Sequence, residues 1–210
     1  MTNPAQLTGH GSFTFKLGGQ TFRGAAVPLA QYFAWTAVQG QPGSEEHASF
    51  LAQVLAERHR PGRVPCPIDT EWVMQHVRVQ HIAALEGVLL EEIDPGDAFE
   101  RDTRLLTIGR VKFQAASYTL AEHAAHQTLF EAQGEGQGGQ RRLPADVRFD
   151  EVGRALRVRH RAGLSDPALI TVDWVMEHLT LPALAALDRL LHTGYLPGED
   201  RAAEGGPSKP

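Results

Sequence analysis

The chain has 210 residues, 42% of them hydrophobic and 21% charged, with a formal net charge of -5. That length holds one ordinary domain or two small ones of roughly 100 residues, and the acidic balance disfavours a general nucleic-acid binder, which needs a dense cationic surface. The single cysteine excludes an intramolecular disulfide and a four-cysteine zinc site, no apolar run approaches the roughly 20 residues of a membrane span, and no secretory leader is visible, so a cytoplasmic protein is expected.

Residues 1–9 are expected to be a flexible N-terminus. Phe13, Phe15 and Leu17 then alternate with polar residues, the period of a half-buried strand. Gly18-Gly19 supplies a two-residue turn, which places Phe15 opposite Phe22 and Leu17 opposite Gln20. Pro28 opens a helix carrying Tyr32, Phe33 and Trp35. Ser44 caps a second helix, expected to reach Arg60, with Phe50, Leu51, Val54 and Leu55 as its apolar stripe. A short helix starts after Asp69 or Thr70 and holds Trp72, Val73, Met74 and Val77. Val79, Ile82, Leu85, Val88 and Leu89 form the stripe of the next.

The same order then returns. Leu106 is expected opposite Phe113 across Gly109-Arg110, and Thr119 with Glu122 forms a capping box ahead of a helix over Ala124 to Glu131. A helix from about Phe149 to Arg161 uses Val152, Leu156 and Val158. Pro61-Gly62 and Ala162-Gly163 are expected to end the paired helices. Pro182 breaks the last segment, so the Trp174 helix should stop near Leu179 and a new one start near Leu181.

This return is also literal. Asp69-Thr70-Glu71-Trp72-Val73-Met74-Gln75-His76-Val77 recurs as Thr171-Val172-Asp173-Trp174-Val175-Met176-Glu177-His178-Leu179, at an offset of 102. Arg58-His59-Arg60 recurs as Arg159-His160-Arg161 at 101, and the Phe15 hairpin matches the Leu106 hairpin at 91. The extra residues fit a loop at Gly134 to Gln140, where insertion costs little closure entropy. The expected fold is therefore α+β, mainly α. It consists of two tandem homologous units, 10–98 and 99–197, each a β-hairpin followed by about four short helices. Residues 198–210 are expected to be a disordered tail.

No catalytic constellation stands out. The ten histidines include His123 and His126 three apart on one helix, but a metal site needs three or four ligands of fixed geometry. Only His59/His160 and His76/His178 recur, which points to packing or hydrogen bonding, so no metal and no cofactor is expected. Cys66 has Ala168 as its counterpart and no base or cation beside it. The glycine-rich loop lacks the Lys-Ser/Thr ending of a phosphate cradle. Seven arginines between Arg141 and Arg161 face three carboxylates, Asp146, Asp150 and Glu151, and could meet an acidic partner or form a solvated helix face. Trp72 and Trp174 read as core anchors. Trp35, whose counterpart is His126, reads as the better exposed contact. Trp35, Arg154, Arg157 and Arg161 are thus the candidate partner-binding residues.

Taken together, the strand-Gly-Gly-strand start from Phe15 to Phe22, the helix after it and the stretch from Leu55 to Leu89 resemble the small tail assembly chaperones of phages and prophages. Within that stretch Glu57-Arg58-His59-Arg60-Pro61 precedes Ile68-Asp69-Thr70-Glu71-Trp72-Val73. The second copy runs from Leu156 to Leu191, and tandem duplication is a departure from the usual form. The resemblance implies a non-enzymatic protein that binds a helical tape-measure protein or another tail protein, or self-associates, with no nucleic acid and no membrane as partner. The alternative is a structural tail or baseplate adaptor retained in the particle.

Overall fold

A computed structural model describes residues 13–62, 66–99, 104–132 and 143–196. The expectations for residues 1–9, the 134–140 loop and the 198–210 tail lie outside these. The fold is α+β and mainly α, with eight helices and two three-stranded sheets among the described residues. Two compact units divide as Met1–Arg101 with Thr119–Ala124, and Asp102–Tyr118 with Ala125–Pro210.

The first unit runs β1 (Thr14–Leu17), β2 (Gln20–Arg23), α1 (Leu29–Val38), α2 (Glu45–Arg58), β3 (His59–Arg60), α3 (Thr70–His76) and α4 (Ile82–Glu91). The second half of the chain has the same order: β4 (Leu105–Ile108), β5 (Val111–Gln114), α5 (Leu120–Ala132), α6 (Ala145–Arg159), β6 (His160–Ala162), α7 (Val172–His178) and α8 (Leu181–Thr193). Each sheet is antiparallel, in the orders β1-β2-β3 and β4-β5-β6.

The hairpin registers are those expected: Phe15 pairs with Phe22, Leu17 with Gln20, and Leu106 with Phe113. Side chains of one strand alternate between faces, so Phe15, Leu17 and Phe22 all turn inward and are buried. Phe22 and Phe113 are fully covered, and each meets the tryptophan of its own unit, Trp72 at 5.8 Å and Trp174 at 6.0 Å between ring centroids. Trp72 is a core residue, whereas Trp174 is only half-buried.

Both units differ from expectation in having a third strand. Helix α2 stops at Arg58 and α6 at Arg159, and the next residues pair with the central strand of the hairpin: His59 with Phe22, His160 with Phe113. Pro61-Gly62 and Ala162-Gly163 therefore follow or end strands, not helices. Val158, expected in the apolar stripe of α6, sits in its last turn and is 65% exposed.

The caps are where the side-chain chemistry puts them. Ser44 Oγ accepts from the His47 amide (3.1 Å), and Asp69 Oδ1 from the Trp72 amide (2.8 Å). Thr171 Oγ1 accepts from the Trp174 amide (3.3 Å), and Thr180 caps α8 two residues before the expected proline in the first turn. Thr119 and Glu122 form the reciprocal box, with bonds of 2.8 and 3.2 Å.

The hairpin turns need their glycines. Gly18 has φ of +55°, and a Cβ there would lie 2.8 Å from Trp72 Cζ2 and 2.9 Å from His76 Cβ. Gly18→Ala is expected to cost about 2 kcal/mol, from left-handed strain plus displacement of the tryptophan. Gly19→Ala has positive φ but nothing within 4 Å, so it should carry the strain alone. Urea denaturation of the two variants separates strain from collision.

Candidate functional site

Three sets of side chains stand out: a buried arginine in each half, an apolar stripe on α1 and a polar pocket in the second unit.

Arg58 is the last residue of α2 and is buried. Its Nε donates to Ala25 O (3.1 Å), Nη2 to Ala26 O (3.0 Å) and Nη1 to Val54 O (2.9 Å). Arg159, the last residue of α6, donates from Nε to Ala116 O (2.9 Å), from Nη2 to Ser117 O (2.7 Å) and from Nη1 to Ala155 O (2.9 Å). The acceptors correspond at the offsets of 91 and 101 read from the sequence. A planar guanidinium can hold three carbonyls in fixed geometry, which an ammonium cannot. Each arginine thus ties the end of its helix to the segment leaving the hairpin.

The repeated histidines are equally structural. His76 Nδ1 bonds Trp72 O and His178 Nδ1 bonds Trp174 O, both at 2.9 Å, and each ring stacks on its tryptophan with 11° between planes. Val27 N to Leu89 O and Tyr118 N to Leu191 O, both 2.7 Å, form a further matched pair.

Of the expected partner-binding residues, Trp35 needs correction: it is 2% exposed and belongs to the core of the first unit. Its ring lies 5.2 Å from His47 and 5.5 Å from Phe50. Arg154 is half-exposed and pairs with Asp150 one turn away (3.3 Å). Arg157 reaches Ile170 O (3.2 Å) and lies 3.8 Å from Asp150. Arg161 is exposed and bonds His160 O (2.9 Å) and Gln114 Oε1. The arginine-rich face is sparser than the sequence suggested, because Arg159 is internal. Arg141 and Arg142 lie outside the described residues. Cys66 is half-buried, with its Sγ 3.8 Å from Pro67 O.

Helix α1 contains no charged residue. While Trp35 faces the core, Leu29 (75% exposed), Phe33 (68%) and Tyr32 (40%) form a stripe on the outside at helical spacing. The Tyr32 and Phe33 rings pack edge-on, 5.9 Å apart. An uncharged helix with aromatics on its open face is unusual on a surface. The sequence signal was there, in a ten-residue helix without Asp, Glu, Lys or Arg.

The third set is in the second unit. His126 on α5 and Glu151 on α6 are both buried, and His126 Nδ1 donates to Glu151 Oε1. His192 on α8 lies 4.7 Å from the His126 ring, and Tyr118 lies 5.6 Å from it. Arg148 and Asp188 approach to 3.6 Å at the same place. These side chains line a cavity of about 460 Å³. Burial, followed by the neighbouring His126, pushes the His192 pKa below its usual value despite Asp188 and Glu151. Among the described residues no group of three or more His, Cys, Asp or Glu is arranged to hold a metal ion.

No protein-family model, curated protein or solved structure matches the chain. No helix among the described residues is long and apolar enough to cross a membrane.

Proposed function

We propose that the chain is a non-enzymatic assembly chaperone of the phage-tail kind, acting in the bacterial cytoplasm on a long helical, tape-measure-like client. The observation that carries this reading is the open stripe of Leu29, Tyr32 and Phe33 on a helix without charge. A helical client has an apolar stripe of its own that would otherwise aggregate, and two such stripes bury each other side by side. The sequence resemblance described above supports the same class of partner. The matched contacts of Arg58 and Arg159, and of His76 and His178, support reading the halves as copies of one unit.

Coexpression with a tape-measure protein, followed by size-exclusion chromatography, tests the proposal. The expected result is a co-eluting complex and a larger soluble fraction of client. Leu29→Glu combined with Phe33→Glu should abolish co-elution while leaving the fold intact, since neither side chain is buried. No complex with the wild-type chain, or an unchanged complex with the double variant, contradicts the proposal. Stoichiometric presence in purified particles would identify a retained adaptor instead.

A further inference from the structure

The two halves solve one packing problem in opposite ways. Where α1 meets α2 in the first unit, Trp35 lies against Phe50 and His47, and the indole fills the space. The residues at the same offsets in the second half are His126 for Trp35, Glu151 for Phe50 and Arg148 for His47. The contact between positions 35 and 50 is kept as a contact between His126 and Glu151, but an aromatic pair has become a hydrogen-bonded polar pair. Leu90 is likewise replaced by His192. In the second half these polar side chains, smaller than the indole and the phenyl ring, line the 460 Å³ cavity.

Packing does not account for this. Burying the Glu151 carboxylate and the His126 imidazole, with His192 half-buried beside them, costs more solvation than burying Phe50, Trp35 and Leu90 at the matching positions. A cavity of this size with a few convergent polar groups and aromatic walls has the form of a small-ligand site. Its chemistry narrows the occupant. The rings of Tyr118, His126, Phe130 and His192 pack against one another and all line the cavity, and such aromatic walls favour a flat ring. Arg148 and Asp188 offset each other, which disfavours a strong net charge. Glu151 gives one oxygen to His126, and a carboxylate has further acceptor capacity. We propose that this cavity binds a flat aromatic ring bearing an N–H donor, of which indole is the simplest case, with Glu151 accepting the N–H. The ligand is a free heterocycle or a tryptophan side chain; the chemistry is the same for both. The inference does not depend on the chaperone reading.

Titration of the full-length protein with indole, followed by NMR of the imidazole signals, tests it. Saturable shifts of His126 and His192 are expected, with His59 and His76 unmoved. 1-Methylindole, which has the ring but no donor, should bind about tenfold more weakly. The variant His126→Trp with Glu151→Phe rebuilds the first unit's filling and should lose indole binding while keeping a native spectrum elsewhere. N-acetyltryptophanamide binding as well as indole assigns the site to a peptide side chain; exclusion of the amide assigns it to a free heterocycle. No saturable shift with indole, equal binding of 1-methylindole, or undiminished binding by the folded double variant overturns the proposal. If the double variant does not fold, the comparison of the two ligands on the wild-type protein still decides.

Discussion

Arg159→Met is expected to destabilise the second unit by about 3 kcal/mol or more. The side chain is 1% exposed and satisfies three backbone carbonyls, two of them in the segment between β5 and α5. Methionine fills much of the volume but donates nothing, so buried acceptors lose their partners. Hydrogen bonds to a charged group are each worth about 1.5–3 kcal/mol, and the desolvation already suffered by the guanidinium offsets part of that sum. Arg159→Lys should recover little, because a point charge with flexible donors cannot span carbonyls on two elements. Arg58→Met is the matched experiment in the first unit. Its effect should be smaller, since Arg58 is slightly more exposed and its carbonyl partners less deeply covered. Chemical denaturation of the three variants measures the order.

Acidification is expected to weaken the first unit by about 3 kcal/mol between pH 6.5 and pH 4, through one residue. His47 is fully buried beside Trp35, and neither ring nitrogen has a hydrogen-bond partner. Burial lowers its pKa to about 4. The unfolded chain, with the ordinary value near 6.5, binds a proton that the folded chain refuses. Stability from this group is therefore complete above pH 6.5 and is lost progressively as pH falls towards 4. His47→Leu removes the titration and leaves no polar atom unpaired. Its stability at neutral pH should match or exceed wild type, and its acid slope over that window should be shallower by one proton. Urea midpoints at pH 7 and pH 4.5 check both.

Much of the scaffold was legible because its signals are local. Alternation of Phe13, Phe15 and Leu17 around Gly18-Gly19 gives the register of β1 and β2 directly, and Ser44, Asp69 and Thr119 are caps whose side chains can do little else there. The third strands were not legible. His59-Arg60 is a two-residue strand that continues a helix without a break in pattern, and a period of two cannot show itself in two residues. The same blindness extended the helices too far and turned Val158 inward. Arg159 was counted with the surface arginines because a sequence shows the cation but not the three carbonyls that converge on it.

Trp35 and His126 carry the second lesson. The mismatch between them was visible in the repeat, and it suggested that the tryptophan had become an exposed contact. The structure shows Trp35 as ordinary core, and the polar pair is at the matching positions, His126 with Glu151. Glu151 had been counted only as charge against the arginines. Aligning it with Phe50 would have exposed the apolar-to-polar exchange. The absence of charge from α1 was legible, but which side of the helix lies open was not, until Trp35 took the inner face.

Amide hydrogen exchange on the chain alone and with a tape-measure-like client tests the central claim most directly. The α1 stripe as docking surface predicts slowed exchange centred on residues 29–38, with the amides of β2 and α3 in the first unit unchanged. A bound client that leaves 29–38 exchanging as in the free chain would contradict it.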